Sequence, residues 1–117
     1  MCSSDLGDVK PVVLGVTAAS CSTNSSNPDA VEDSWLFTLS VDDPQGAETV
    51  RKGTMSAKKG GKELASLALA CSNGICAGST RSSIDGLSCD LAGTMVVVFV
   101  VTDTDGNSSD PYEYQTE

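Results

Sequence analysis

Two of the five cysteines, Cys71 and Cys76, flank the dipeptide Asn73-Gly74, and no other feature of this sequence restricts the fold as much. Asn-Gly is the strongest two-residue hairpin signal, because a type I′ turn needs two residues that tolerate positive φ. With Asn73 and Gly74 as the turn, Ser72 and Ile75 close it as a hydrogen-bonded pair. Cys71 then faces Cys76 in the next, non-hydrogen-bonded pair, where Cα atoms lie about 4.5 Å apart, within reach of a disulfide. Elimination joins Cys21 to Cys89. That bridge closes a long loop and so constrains the unfolded chain most. Of the three pairings open to four cysteines, Cys21–Cys71 with Cys76–Cys89 is the rival. Cys2 is left over. Five cysteines in a short, acidic, Ser/Thr-rich chain point to an oxidising, extracytoplasmic compartment. A zinc role is disfavoured, since there is no Cys-x-x-Cys pair and no histidine.

At 117 residues the chain has the length of one domain, with a core small enough to benefit from covalent staples. Its longest apolar run, Met95–Val101, falls far short of the roughly 20 residues of a spanning helix. A formal charge of -9 argues against nucleic acid as a partner, because nothing here would displace the counterions of a phosphate backbone. The absence of histidine removes imidazole bases and His-containing triads, and no nucleophile–base pair or metal set stands in for them, so no enzyme and no cofactor are expected.

The pattern predicts an all-β chain. A tether over 1–8 precedes a domain over 9–117. Val9–Thr17 is a strand that Pro11 confines to an edge. Ala18–Ser34 is expected as a long polar loop pinned by Cys21. In Trp35–Val41 the residues Trp35, Phe37, Leu39 and Val41 share one face, the core face of a half-buried strand. Thr49–Ala57 is a weaker strand with a bulge expected at Gly53, and Lys58–Lys62 is expected as a flexible basic loop. Leu64–Ala70 has helix-forming composition yet alternates into Cys71, which favours a strand, with a helical turn expected over Glu63–Ser66. Cys76–Thr80 is the return strand and Arg81–Cys89 a polar connection. Thr94–Thr102 is apolar on both faces and therefore central. Ser108–Gln115 closes the fold, with Tyr112 and Tyr114 on one face and Pro111 marking an edge. Short strands separated by Gly/Pro/Asn turns read as an antiparallel sandwich of about seven strands, stapled by disulfides.

Two segments carry a resemblance. Trp35–Gly46 (WLFTLSVDDPQG) and Ala92–Pro111 (AGTMVVVFVVTDTDGNSSDP) resemble the early strand and last hairpin of bacterial immunoglobulin-like and polycystic-kidney-disease-like modules. The resemblance covers about a third of the chain and implies an immunoglobulin-like β-sandwich. It implies little about function, since such sandwiches host many roles. The opening Cys2-Ser-Ser-Asp-Leu-Gly-Asp8 is similar to the start of a mature bacterial lipoprotein, in which the first cysteine carries lipid and a polar tether follows. That implies lipidation of Cys2 and a membrane contact through the anchor alone; the alternative is a spare thiol.

Three further groups are candidate sites. Ser72, Asn73, Gly74 and Ile75 form a clamped tip able to contact a partner. Lys58, Lys59 and Lys62 form a basic patch that could steer a charged partner or a second copy of the chain, since Arg51–Lys62 holds five of the seven bases and the segment after Arg81 has 7 acids and no base. Asp103, Asp105, Asn107 and Asp110 form an Asp-x-Asp-Gly loop of the kind that holds Ca²⁺. Aligned as an EF-hand on Gly106, however, it places Val101 and Tyr112 where the first and last carboxylates belong, so a hairpin turn that uses Asp, Gly and Asn for backbone reasons is preferred. The string Ser56-Ala-Lys-Lys59 matches the Ser-x-x-Lys of penicillin-interacting enzymes by chance composition. The expected function is a non-catalytic binding or adhesion module at a cell surface or in the periplasm, the ectodomain of a lipoprotein that makes protein–protein contacts or self-associates. The alternative is a secreted inhibitor presenting Ser72–Ile75 to a hydrolase.

Overall fold

The computed structural model describes residues 10–24 and 32–116. Cys2, the tether and Val9 lie outside the described residues. Seven strands account for most of the rest: β1 Val12–Asn24, β2 Glu32–Asp42, β3 Val50–Lys59, β4 Lys62–Ser72, β5 Ile75–Arg81, β6 Val96–Asp103 and β7 Tyr112–Gln115. All pairs are antiparallel, in the order β1-β2-β5-β4-β3-β6-β7. The sheet coils until its two edges approach each other at one end, where Lys10 Nζ lies 2.9 Å from Asp110 Oδ1. The molecule is thus all-β and nearly barrel-like. Among the described residues no helix is long and apolar enough to cross a membrane.

The core follows from alternation. Trp35, Phe37, Leu39 and Val41 on β2 are all buried, as are Val97, Phe99 and Val101 on β6. Trp35 stacks on Phe37 at 5.5 Å, and Phe37 meets Phe99 edge-on at 6.1 Å. The Trp35 indole N–H is satisfied by the Ser88 carbonyl at 3.0 Å, so burying this ring leaves no polar orphan. β6 runs between β3 and β7, as its apolar character requires. Tyr112 and Tyr114 on β7 pack against the core from one face.

Both disulfides form. Cys71 faces Cys76 across the Ser72↔Ile75 pair with Cα atoms 4.0 Å apart. The turn is left-handed at both Asn73 (φ 53) and Gly74 (φ 84), as type I′ demands. Cys21 joins Cys89 at a Cα separation of 5.5 Å.

Several expectations are corrected. The loop over Ala18–Ser34 is mostly strand: β1 continues to Asn24 and β2 begins at Glu32, paired residue for residue from Ala19↔Phe37 to Asn24↔Glu32. Its inward positions are only Ala19 and Cys21, too small to print a hydrophobic period, and pairing with β2 overrides the turn-prone composition. Glu63–Ser66 is strand and not a helical turn, because Ala65, Ser66 and Leu67 pair with Ala57, Ser56 and Met55. Lys58–Lys62 is a two-residue turn at Gly60-Gly61 rather than a loop; its lysines belong to β3 and β4. The irregularities of β3 lie at Val50/Lys52 and Ala57/Lys58, not at Gly53. Gly53 instead allows close approach of β6, since a Cβ there would lie 2.9 Å from the Val100 carbonyl oxygen. Arg81–Cys89 contains one helical turn, α1 Ser82–Asp85, closed by left-handed Gly86. The closing strand is only Tyr112–Gln115, preceded by a lone Thr102↔Ser108 bridge.

β4 has a double allegiance. It pairs with β3 over Lys62–Ala70 but with β5 only over Ala70–Ser72. Where β4 and β5 part, Leu67 and Leu69 lie over Gly78 of β5: a Cβ at Gly78 would come within 2.6 Å of Leu69 Cδ2 and 3.0 Å of Leu67 Cδ1. The missing side chain of Gly78 is what lets the two halves of the sheet fold over each other here.

Candidate functional site

Strand directions sort the connections into two ends. The start of β1, the β2–β3 and β6–β7 connections and the β4–β5 turn share one end. The β3–β4 turn, α1 and the residues around Cys89 share the other.

At the first end the meeting of β1 and β7 leaves a groove of about 430 Å³. Its apolar lining comes from Pro11, Val13, Pro44, Pro111 and Tyr112, and its charged lining from Lys10, Asp42, Asp43 and Asp110. Two carboxyls organise this end. Asp103, at the close of β6, is 3% exposed. Its Oδ1 accepts the backbone N–H groups of Asp105 and Asn107, both at 2.9 Å, and its Oδ2 accepts the Asn107 side-chain amide at 3.2 Å. Burial pushes this carboxyl up, but the Asn107 backbone and side-chain donors, the Asp105 N–H and the contact with Asp43 outweigh it and hold Asp103 below the ordinary aspartate value. Asp43, in the β2–β3 connection, is 4% exposed; its Oδ1 accepts the Gln45 N–H at 2.8 Å. Asp43 Oδ2 is buried and accepts no hydrogen bond.

The sequence-derived Ca²⁺ candidates are therefore not a set. Asp103 organises its own loop, Asn107 serves it, Asp110 is exposed and paired with Lys10, and Asp105 is exposed. Among the described residues no three acidic or sulfur ligands gather around a common point. The residue that does meet Asp103 is Asp43, which sequence reasoning missed. No local signal marks it: Asp42-Asp43-Pro44 reads as an ordinary turn until the β2–β3 connection is set beside β6.

The Ser72–Ile75 tip is clamped by the Cys71–Cys76 bridge and leans on its neighbours, with Ser72, Asn73 and Ile75 exposed. The Val41 N–H donates to the Gly74 carbonyl at 2.9 Å, and a Cβ on Gly74 would sit 3.2 Å from Ala47 Cβ. The tip is docked on the β2–β3 connection. Ile75 remains 46% exposed.

The basic cluster is split by the fold. Arg51 and Lys52 open β3 at the groove end, whereas Lys58, Lys59 and Lys62 surround the turn at the far end. No carboxylate pairs with these three lysines among the described residues, where Lys10–Asp110 is the single ion pair. Ile84, 74% exposed, lies in α1 at the same end. Ser56 sits within β3, not at a helix start, so the Ser-x-x-Lys string has no catalytic geometry. The Cys21–Cys89 bridge is locked here by Asp33, whose carboxylate takes the Cys89 N–H at 2.8 Å and the Thr23 hydroxyl at 2.7 Å. These two donors, the Cys89 N–H foremost, hold Asp33 below its ordinary value.

No protein-family model matches the chain, and no curated protein matches it.

Proposed function

We propose that this chain is an immunoglobulin-like, non-catalytic binding module displayed outside the cytoplasm, tethered through lipid on Cys2 and contacting a protein partner with the end of the sheet that carries Lys58, Lys59 and Lys62. The strand order is the observation that carries the reading. Lettered A to G along the chain, the strands lie in the order A-B-E-D-C-F-G, the sequence that results when the ABED and CFG sheets of an immunoglobulin constant-type domain are joined edge to edge. Two disulfides support an oxidising location.

The direction of β1 supports the choice of end. β1 begins at the groove end, so an anchor on Cys2, joined by a tether that extends at most about 3.5 Å per residue, holds that end toward the membrane. The β3–β4 turn and Ile84 then face outward. Lysines without an ion-pair partner among the described residues, at the same end as an exposed apolar side chain, suit an acidic protein surface, with steering by charge and anchoring by apolar burial. The inhibitor alternative receives less support, because a two-residue turn docked on its neighbour offers a hydrolase no extended loop.

The test is attachment of cells displaying the whole chain, compared with the triple charge reversal Lys58→Glu, Lys59→Glu, Lys62→Glu. The expectation is loss of attachment with an unchanged melting temperature. Unchanged attachment overturns the assignment of this end, and release of the protein from membranes only after Cys2→Ser supports the anchor.

A further inference from the structure

We propose that the outward face of β1, β2 and β5 is a self-association surface, on which two copies of this chain pack antiparallel about a two-fold axis. The inference goes beyond the binding role proposed above and does not rest on it, because this face lies along the sheet between its two ends.

The register defines the face. Leu36, Thr38 and Ser40 alternate with the buried residues of β2 and so point outward, and cross-strand partners share their side. Ser40 lies between Gly15 of β1 and Ile75 of β5, Thr38 between Ala18 and Ala77, and Leu36 between Ser20 and Ser79. Leu14 stands beside Gly15 at the bulge. Among the described residues, four of the six exposed large apolar side chains belong here: Val12, Leu14, Leu36 and Ile75, between 46% and 61% exposed. In a chain with 16 acids, none of the three rows carries a charge. Exposed aliphatic groups on an uncharged surface have the composition of an interface core, not of a solvated sheet face.

Gly15 is an independent observation. Its φ is not left-handed, so the bulge does not require glycine, and a Cβ there would meet nothing within 4 Å. Its missing side chain leaves a notch over Gly15 and Ser40, flanked by Leu14 and Ile75. Glycine inside a strand weakens it and marks a place where another chain approaches closely. The order of the rows then selects a second copy as the occupant. Large side chains occupy the Ser40 and Leu36 rows, and only Ala18, Thr38 and Ala77 lie between them. A two-fold axis crossing the strands at Thr38 lays the β2 strands of two copies on each other, so that Leu36 of each enters the notch of the other and small residues meet at the axis. Ser34 and Asp42 lie at equal distances from Thr38 along β2, and Ser34 pairs with Arg81. Asp42 of each copy therefore meets Arg81 of the other, and neither has an ion-pair partner within its own copy among the described residues. An axis along the strands is disfavoured, because it sets Asp42 on Asp42 and Leu36 on Leu36 and leaves both notches empty. Three strands about 4.8 Å apart, over Ser34–Asp42 at about 3.4 Å per residue, outline roughly 440 Å² per copy. Two such faces fall in the size range of transient contacts, so the dimer is weak, with Kd on the order of 10–100 μM.

The test is sedimentation equilibrium of the whole chain from about 5 μM to about 500 μM, with Cys2→Ser throughout so that no disulfide joins copies. The expected result is a monomer–dimer equilibrium. Gly15→Val and Leu36→Ser should each leave the chain monomeric over this range, with the melting temperature of the dilute protein little changed, since both alter only a position open to solvent. Arg81→Glu should raise Kd about ten-fold, and adding Asp42→Arg should restore it, because the exchange rebuilds both reciprocal pairs. Leu64→Ser, exposed on β4 outside this face, should change nothing. A chain monomeric at every concentration overturns the proposal, as does a dimer that survives Gly15→Val and Leu36→Ser or that is lost only on reversing Lys58, Lys59 and Lys62. A charge exchange that fails to restore affinity overturns the antiparallel arrangement. Should Gly15→Val not fold, Leu36→Ser and the charge exchange decide.

Discussion

The two disulfides are chemically alike and structurally opposite. Cys71–Cys76 spans 5 residues and ties together two strands that their own Asn-Gly turn already brings face to face. Cys21–Cys89 spans 68 residues and joins the far part of edge strand β1 to a short helical segment outside the sheet. The first reinforces a contact the local chain makes anyway. The second creates proximity that no local preference supplies, and it is surrounded by a polar lock, Thr23–Asp33–Cys89, that the first has no equivalent of. A crosslink stabilises mainly by what it denies the unfolded chain, so the long bridge should dominate.

Chain-entropy arithmetic puts numbers on the contrast. Removing the long bridge, Cys21→Ser with Cys89→Ser, is expected to cost about 4 kcal/mol, the value for a loop of this size, read as a fall in urea midpoint at constant slope. A loss equal to or below that of the short bridge would break the comparison. Removing the short bridge, Cys71→Ser with Cys76→Ser, is expected to cost about 2 kcal/mol by the same relation, with the turn retained. Next in size, Gly78→Ala places a Cβ against Leu67 and Leu69 where β4 leaves β5, and should cost about 1–3 kcal/mol through overpacking. A neutral result in a thermal melt would show that those two leucines have room to move.

The smallest effect concerns pH. Asp33, beside the long bridge, and Asp103, at the other end, are both held below the ordinary value of 3.8. A depressed folded-state value means that each contributes stability that is complete above 3.8 and is lost as pH falls through the lower folded values. Urea midpoints should therefore hold steady at mildly acidic pH and drop below about pH 4, with a shallower drop in Asp33→Asn. An equal drop in that variant would show that the lock around Cys89 contributes nothing through its charge.

What could be read in advance follows the same line between local and distant. Asn73-Gly74 and its flanking cysteines specify a turn, a register and a bridge within six residues. The alternation of Trp35–Val41 identifies a core face because every second side chain is large. The two-residue period vanishes where inward side chains are small: β1 beyond Thr17 shows only Ala19 and Cys21 to the core, so its composition reads as loop although its backbone is paired. Leu64–Ala70 shows the converse, since its composition allows helix while its alternation favours strand and its pairing with β3 decides for strand. The candidate site was half legible. Asp103 stood out in its Asp-x-Asp-Gly loop, but Asp43, 60 positions earlier, had nothing to distinguish it from Asp42.

By itself the sequence determined the all-β character, the inward residues of β2, the central place of β6, the Asn-Gly turn and its crosslink, because each depends on side-chain pattern or φ preference over a few residues. Tertiary structure alone decided the strand order, the crossing of β4 between its two partners, the separation of Arg51 and Lys52 from the lysines at the β3–β4 turn, and the burial of Asp43 against Asp103. Those outcomes depend on which distant backbones exchange hydrogen bonds, and a hydrogen bond between backbones carries no record of the side chains that flank it.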